Sequence, residues 1–255
     1  KIPEDTTYIG SYAFAGCGFS QVIFDPDADG SVTIGEGAFS GLTNLTGAIE
    51  LPSSPISTRV GKQIDPYTFY NCVDLRSFTF PSDVSIIGAY AFYGCRNLEM
   101  ELNLKDVTEI GACAFQGCTG LRGSLEIPGT LHEIRENAFA GCTGFSGSLT
   151  IRVDGSTTQT FIGPGAFSGC TGFKKGTLFI YIESQKETFR GKDDESVKYY
   201  IPDYFLRIGN EAFEDCKFSN IYYNGRLLQE FIHPAIMQIR YFVIIFSILT
   251  NSLAV

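Results

Sequence analysis

The sequence predicts a solenoid, in which copies of one short unit stack and each copy adds a strand to a parallel sheet. Three observations predict it. Eight copies of Ala-Phe or Thr-Phe, mostly 23 to 30 residues apart, each have an Ile five residues before the Phe, and an alternating apolar pair follows most of these copies. A unit of this length cannot bury its own apolar surface, whereas stacked copies can.

The repeat is anchored by two invariant positions in all eight copies and by a nearly invariant third. The recurring aromatic residues are Phe14, Phe39, Phe69, Phe92, Phe115, Phe139, Phe167 and Phe213. The Ile residues five positions earlier are Ile9, Ile34, Ile64, Ile87, Ile110, Ile134, Ile162 and Ile208. Three positions after Phe, seven copies carry Cys and one carries Leu42. We expect Phe115 and Phe139 to be fully buried and stacked on the Phe of neighbouring coils.

The strand of each copy is predicted where apolar residues alternate, because alternation indicates a strand with one buried face. The pairs are Val22/Phe24, Ile49/Leu51, Phe78/Phe80, Leu102/Leu104, Leu125/Ile127, Leu149/Ile151 and Ile221/Tyr223. We expect one parallel strand per repeat of about 23 residues, with short helical or irregular segments on the opposite face. At roughly 4.8 Å per strand, about nine coils form a rod on the order of 40 Å long.

The domain prediction is a solenoid over residues 1–230 and an apolar tail over residues 231–255. The last spacing, 46 residues, is twice 23, and Thr188–Gly191 near its middle resembles a degenerate copy, which predicts a ninth coil near 177–198. Insertions at Ser53–Lys62, Asp154–Thr160 and Glu183–Lys198 are predicted to be loops. The chain begins in the middle of a repeat, so we expect a fragment of a longer protein.

The tail contains one clean apolar run, Tyr241–Leu249. A membrane-spanning helix needs about 20 mostly apolar residues, so this run is short. Three interpretations stay open: a membrane anchor formed by residues 234–255, a cap on the last coil, and a truncation or read-through artefact.

A Gly follows the Ile in six copies, which favours a turn with positive φ at that position. These residues are Gly10, Gly35, Gly88, Gly111, Gly163 and Gly209.

The repeated cysteines occupy a position that Leu42 also fills, which indicates an apolar core position. We predict a column of buried thiols, with disulfides between coils and metal binding as the alternatives. Cys113 lies outside this column, two residues before Phe115, in a variable position that we expect to be exposed.

An acidic segment, Asp25–Gly30 followed by Glu36, matches the calcium-loop formula of EF-hands. Asp25, Asp27 and Asp29 would supply carboxylates, but a strand precedes them where an EF-hand has a helix. We therefore predict an acidic turn without a specific calcium site, and calcium binding stays an alternative. Asn44-Leu45-Thr46 is a glycosylation sequon whose occupancy depends on the source.

Composition argues against several functions. A net charge of -9 is unsuited to nucleic-acid phosphates. The two histidines, His132 and His233, are isolated, and no nucleophile triad, zinc motif or phosphate-binding loop is present. The chain is therefore not expected to be an enzyme, and no cofactor or metal is expected.

One copy shows the motif IGxxAFxGCxxL…LxIP in full, from Ile110 to Pro128. With eight good copies over about residues 1–225, the sequence resembles the BspA-type leucine-rich repeat. That resemblance implies a surface protein of a bacterium or protist parasite, associated with adhesion to host proteins and cells. The motif specifies scaffold residues, so it transfers no binding residue to this chain.

Candidate binding residues come from the outward position of each predicted strand. Stacked in register they form one stripe: Ile23, Glu50, Thr79, Asn103, Glu126, Thr150, Phe179 and Tyr222. The side chains of the stripe differ from strand to strand, which favours contact with a protein partner such as a host matrix or cell-surface protein. We expect Glu50, Thr79, Asn103, Glu126 and Thr150 to form the site, the acidic pair favouring a partner with Lys or Arg.

Three alternatives stay open for this face and for the chain. The stripe could be a solvated sheet face, with recognition carried by the loops or by missing repeats. The chain could be a structural spacer, or the repeat region of a larger enzyme whose catalytic domain lies elsewhere.

Overall fold

A computed structural model describes residues 1–25, 32–47, 49–51, 63–81, 84–154, 159–182, 206–216, 218–223 and 226–227. Parallel coils stack in sequence order, which confirms the predicted solenoid. The structure also adds to the prediction, because most coils contribute two short strands rather than one.

The first ladder is formed by the strands that end at the repeated Ile. They are β1 (Tyr8–Ile9), β2 (Thr33–Ile34), β4 (Gln63–Ile64), β6 (Ile86–Ile87), β7 (Glu109–Ile110), β9 (Glu133–Ile134), β11 (Thr160–Ile162) and β13 (Leu206–Ile208). β1 pairs with β2, and the other six form one parallel sheet in the order β13-β11-β9-β7-β6-β4. The register aligns Ile with Ile, as at Ile110 and Ile134, so each of these residues is held in the core by its neighbours.

The second ladder forms at five of the seven alternating pairs, whereas Val22/Phe24 and Leu102/Leu104, predicted as strands, lie in no strand. It consists of β3 (Ile49–Glu50), β5 (Phe78–Thr79), β8 (Leu125–Ile127), β10 (Leu149–Val153), β12 (Thr177–Ile182) and β14 (Asn220–Tyr223), with β15 (Arg226–Leu227) antiparallel to β14. Turns connect the two ladders within each coil. Among the described residues, the one helical segment is a 3-10 helix at Thr171–Lys175.

A column of aromatic rings runs through the core. Consecutive repeat Phe rings stack with centroids 5.1 to 5.8 Å apart, and the pair Phe115–Phe139 is 5.2 Å apart and nearly parallel. All are fully buried except Phe14, which is partly buried. The predicted stacking of Phe115 and Phe139 is confirmed.

The coil of Phe213 stacks directly on the coil of Phe167, with ring centroids 5.5 Å apart and β11 paired to β13. No other coil lies between them in the described stack. This corrects the expected ninth coil near 177–198, because Thr177–Ile182 is strand β12 of the Phe167 coil. Thr188–Gly191 lies outside the described residues.

The glycines that follow the Ile do not have positive φ, contrary to our expectation. Neighbouring coils approach closely at five of the six, all but Gly10. A Cβ on Gly88 would lie 2.6 Å from the backbone nitrogen of Pro66 and 2.8 Å from the carbonyl oxygen of Ile64. Real Cβ atoms do not approach backbone so closely, so a side chain at Gly88 would force the backbone to shift.

Positive φ occurs instead two residues before and two residues after the Phe. The earlier position holds Gly37 and Gly165 but also Tyr67, Tyr90 and Cys113, with φ between 56° and 62°. Cys113 is only 8% exposed, which corrects the expectation that it is a surface residue.

Several predictions fall wholly or partly outside the described residues. These are the tail at 231–255, the predicted loop at 183–198, the insertion at 53–62, and Asp27 and Asp29 of the acidic turn. The described part contains no helix with the length and hydropathy needed to cross a membrane.

We predict that Phe139→Ala lowers the free energy of unfolding by roughly 3–5 kcal/mol, because it removes a fully buried ring and leaves a cavity between two coils. Urea denaturation measures the change. The control is Phe19→Ala, since Phe19 is 46% exposed and should cost under about 1 kcal/mol. Equal effects of the two substitutions would contradict the stacked core.

Candidate functional site

The outward residues of the second ladder lie in register within two separate sheets, one formed by β3 and β5 and the other by β8, β10, β12 and β14. Glu50 is paired with Thr79 across β3 and β5, and Glu126, Thr150, Phe179 and Tyr222 follow one another across β8, β10, β12 and β14. Thr79, Asn103 and Glu126 are exposed, whereas Thr150, Phe179 and Tyr222 are half-buried. Ile23 is also exposed, in the first coil.

Three of the predicted residues, Asn103, Glu126 and Thr150, line one open groove of about 500 Å³. Glu101, Lys105 and Ser124 also line it, together with the apolar side chains of the strand ends. The groove therefore offers hydroxyl, amide and charged groups over an apolar floor. Glu50 and Thr79 do not line it.

Glu126 does not present a free charge. Its Oε1 lies 2.6 Å from Nε of Arg152, and the two side chains are 60% and 41% exposed. The Arg152 guanidinium also lies over the ring of Tyr181, 5.2 Å from its centroid. The expected attraction of Glu126 for a basic partner is thus partly satisfied within the chain.

An aromatic cluster continues the stripe beyond Thr150. The Phe179 ring stacks on Tyr222 at 5.3 Å and on Tyr181 at 6.1 Å. The stripe prediction missed Arg152 and Tyr181 because it followed one outward position per strand. Both lie two residues further along longer strands and therefore face the same side.

The repeated cysteines form the predicted column of buried thiols. All eight cysteines of the chain are free, and the six from Cys72 onward in the column are fully buried. Each of these six donates a hydrogen bond from Sγ to the carbonyl oxygen of the Phe in the preceding coil, at 3.0 to 3.2 Å. Cys72 bonds to Phe39, for example, and Cys118 to Phe92. The thiol is therefore a donor as well as a small apolar group.

This burial determines the chemistry of the thiols. It raises the pKa of Cys72 to about 12 and that of Cys95 well above the usual range, because a thiolate would lose its solvation there. Among the described residues, no group of His, Cys, Asp or Glu is arranged to hold a metal ion.

The remaining candidates from the sequence are the acidic turn, the glycosylation sequon and the described histidine. Asp25 forms an ion pair of 2.6 Å with Lys1, and Glu36 accepts a hydrogen bond of 2.8 Å from the Tyr12 hydroxyl. Asn44 is exposed in a turn, so its glycosylation stays a prediction. His132 is half-buried and its Nδ1 has no hydrogen-bond partner.

The comparison with protein families decides the classification. The model described as "BspA type Leucine rich repeat region" matches the sequence in six copies, over residues 1–60, 62–179, 99–219 and 183–230. The chain belongs to the BspA-type leucine-rich repeat family. No curated protein matches it. Leucine-rich repeats serve in general as protein-binding modules, which supports such a role for this member of the family.

One solved structure shows the same fold, and two others are weaker matches. A leucine-rich repeat protein from Bacteroides ovatus is 23% identical with a TM-score of 0.57, and the match covers 84% of this BspA-type chain and 51% of that protein. This chain thus spans about half the length of that relative. A T. pallidum leucine-rich repeat protein is 27% identical with a TM-score of 0.49, covering 65% and 71%. A leucine-rich cell surface protein from Faecalibacterium prausnitzii is 18% identical with a TM-score of 0.38, covering 88% and 78%.

We predict that Ellman's reagent at pH 8 modifies Cys17 of the native protein first, because Cys17 alone in the column is only partly buried. The six buried thiols should react only after denaturation, since the reagent cannot reach them in the folded core and burial raises the pKa of thiols such as Cys72 and Cys95. Cys17→Ser should remove the fast phase. Rapid modification of the buried thiols in native protein would contradict the column.

Proposed function

We propose that this chain is a protein-binding module of a cell-surface or secreted protein, which adheres through the exposed face of its second ladder. The main support for this proposal is that Asn103, Glu126 and Thr150 line one groove. An aromatic cluster on the next strands continues the same face in register. The family supports the class of function, and its association with adhesion supports the surface location and a host matrix or cell-surface protein as partner.

The physical case is strongest at the aromatic end of the face. Tyr and Arg dominate the binding energy of protein interfaces, because they combine a large apolar area with polar tips. Phe179, Tyr181 and Tyr222 are held by stacking, and Arg152 is held by Glu126 and by Tyr181. Such pre-ordered side chains lose little conformational entropy when a partner binds.

The polar end has a different role in this proposal. Exposed charges at the rim of an interface act mainly on association rate and on salt dependence. Because Glu126 is already paired, we expect its contribution to be orientation of Arg152 rather than long-range attraction. A spacer would need no such variation along its face, and the second ladder changes from polar to aromatic over four strands.

The test measures binding of the soluble chain to a panel of purified extracellular-matrix proteins by surface plasmon resonance. Glu126→Lys combined with Phe179→Ser should weaken binding at least tenfold, because it breaks the ion pair with Arg152 and removes the central ring. The matched control is Glu109→Lys, which breaks the corresponding ion pair with Arg135 on the first ladder, 3.0 Å in length.

The control should bind like the unmodified chain. Equal binding by the control and by the second-ladder variant would remove this face from the proposal. Failure of the unmodified chain to bind any matrix protein would argue for the spacer interpretation instead.

A further inference from the structure

Four tyrosines gather on the turn side of two adjacent coils, away from the exposed face of the second ladder. We call Tyr67, Tyr70, Tyr90 and Tyr93 the tyrosine patch. Tyr67 stacks on Tyr90 with centroids 5.0 Å apart, and Tyr70 stacks on Tyr93 at 5.0 Å. The two stacks touch side by side, with centroids 5.7 Å apart within each coil, and all four rings are half-buried.

The scaffold does not require these residues. Tyr67 and Tyr90 both have a φ of 59°, a left-handed conformation that is unfavourable for a bulky side chain. Other coils place Gly37 or Asn137 there, which tolerate it better. In the second stack the equivalent positions of neighbouring coils hold Ser40 and Gln116. Every described coil has positive φ at this position, so the conformation belongs to the repeat and the pair of stacked tyrosines is what distinguishes these two coils.

The arrangement of the rings favours a protein partner over a carbohydrate. Sugars bind aromatic residues through C–H groups that lie against an open ring face, where the π-electron density is concentrated. In the tyrosine patch each ring has one face covered by its stacking partner, and the two rings of each coil are tilted by 48° to 55° from each other, so the patch offers no flat platform of open ring faces. Rigid tyrosines used in this way supply large amphipathic contact areas in protein recognition.

The charges beside the first stack are acidic. Glu136 is exposed, and it acts on Tyr90, whose pKa is raised first by the hydrogen bond with Cys113 and also by this carboxylate. Glu36, which is half-buried and accepts the hydrogen bond from Tyr12, directly precedes Gly37, whose amide donates to the carbonyl of Pro66 next to Tyr67. Beside the second stack, Arg96 and Tyr93 line a groove of about 280 Å³. Basic groups of a partner would therefore be favoured along the Tyr67–Tyr90 side.

We propose that the tyrosine patch is a second protein-docking surface, which takes a segment with apolar side chains flanked by Lys or Arg. The apolar side chains lie on the ring edges, and the basic groups lie beside Glu36 and Glu136. This site is separate from the second-ladder face and does not depend on it.

The test uses a random 12-residue peptide library displayed on phage and selected on the full chain, followed by fluorescence anisotropy with the selected peptides. The variant replaces each tyrosine by the residue of the same position in another coil: Tyr67→Gly, Tyr70→Ser, Tyr90→Asn and Tyr93→Gln. Because these residues already occur in the repeat, and two of the changes relieve left-handed strain, the fold should be retained. A second variant, Tyr70→Ser with Tyr93→Gln, leaves the left-handed positions untouched.

The expected result is a set of peptides rich in Lys or Arg and apolar residues, which bind the fourfold variant at least tenfold more weakly and bind Glu126→Lys unchanged. The double variant should lose at least threefold. Equal binding by the double variant overturns the proposal, as does a selection that yields no peptide or only acidic ones. Binding confined to sugars on a glycan array, lost in the variants, would also overturn it.

Discussion

The close approach of successive coils is the constraint on which the rest of this structure depends. Rings in the Phe column lie 5.1 to 5.8 Å apart, and the backbones come nearer still at Gly88 and its equivalents. Each buried thiol then reaches the carbonyl of the preceding Phe and adds a second hydrogen bond to carbonyls such as that of Phe92, which already accepts the Cys95 amide of its own coil. One repeat unit thus meets packing and hydrogen-bonding requirements together, and only in the presence of its neighbours.

This coupling explains why much of the fold was predictable. Core positions must match between coils, so the same residue types recur at fixed offsets, as Phe does at the position of Phe115 and Ile at that of Ile110. This recurrence reveals the length of the repeat. The first ladder was not predicted, because strands such as Glu109–Ile110 are two residues long and contain no alternation. The sequence identified the recurring glycines, but the predicted reason for them, a positive φ, was wrong. Sequence cannot distinguish a glycine required by φ from one required by a neighbouring coil.

The candidate sites were predictable only in part, for a related reason. Stacking converts positions that are 23 residues apart into neighbours, so Glu126, Thr150 and Phe179 could be grouped from the register alone. The ion pair of Glu126 with Arg152 depends on side-chain geometry and could not be predicted. The tyrosine patch carried a signal, since Tyr67 and Tyr90 repeat one position and Tyr70 and Tyr93 another. A rigid stack thereby displays two separate columns of side chains, which suits a module that binds proteins.

The measurement that tests this account most directly compares Gly88→Ala with Gly10→Ala in urea denaturation. Both glycines follow the repeated Ile, but a Cβ on Gly10 would meet nothing nearer than the Tyr8 ring at 3.8 Å, whereas one on Gly88 would overlap backbone atoms of the preceding coil. The account predicts that Gly88→Ala lowers the free energy of unfolding by about 1–3 kcal/mol and that Gly10→Ala has little effect. Equal effects, or a tolerated Gly88→Ala, would contradict the claim that coil approach governs the fold.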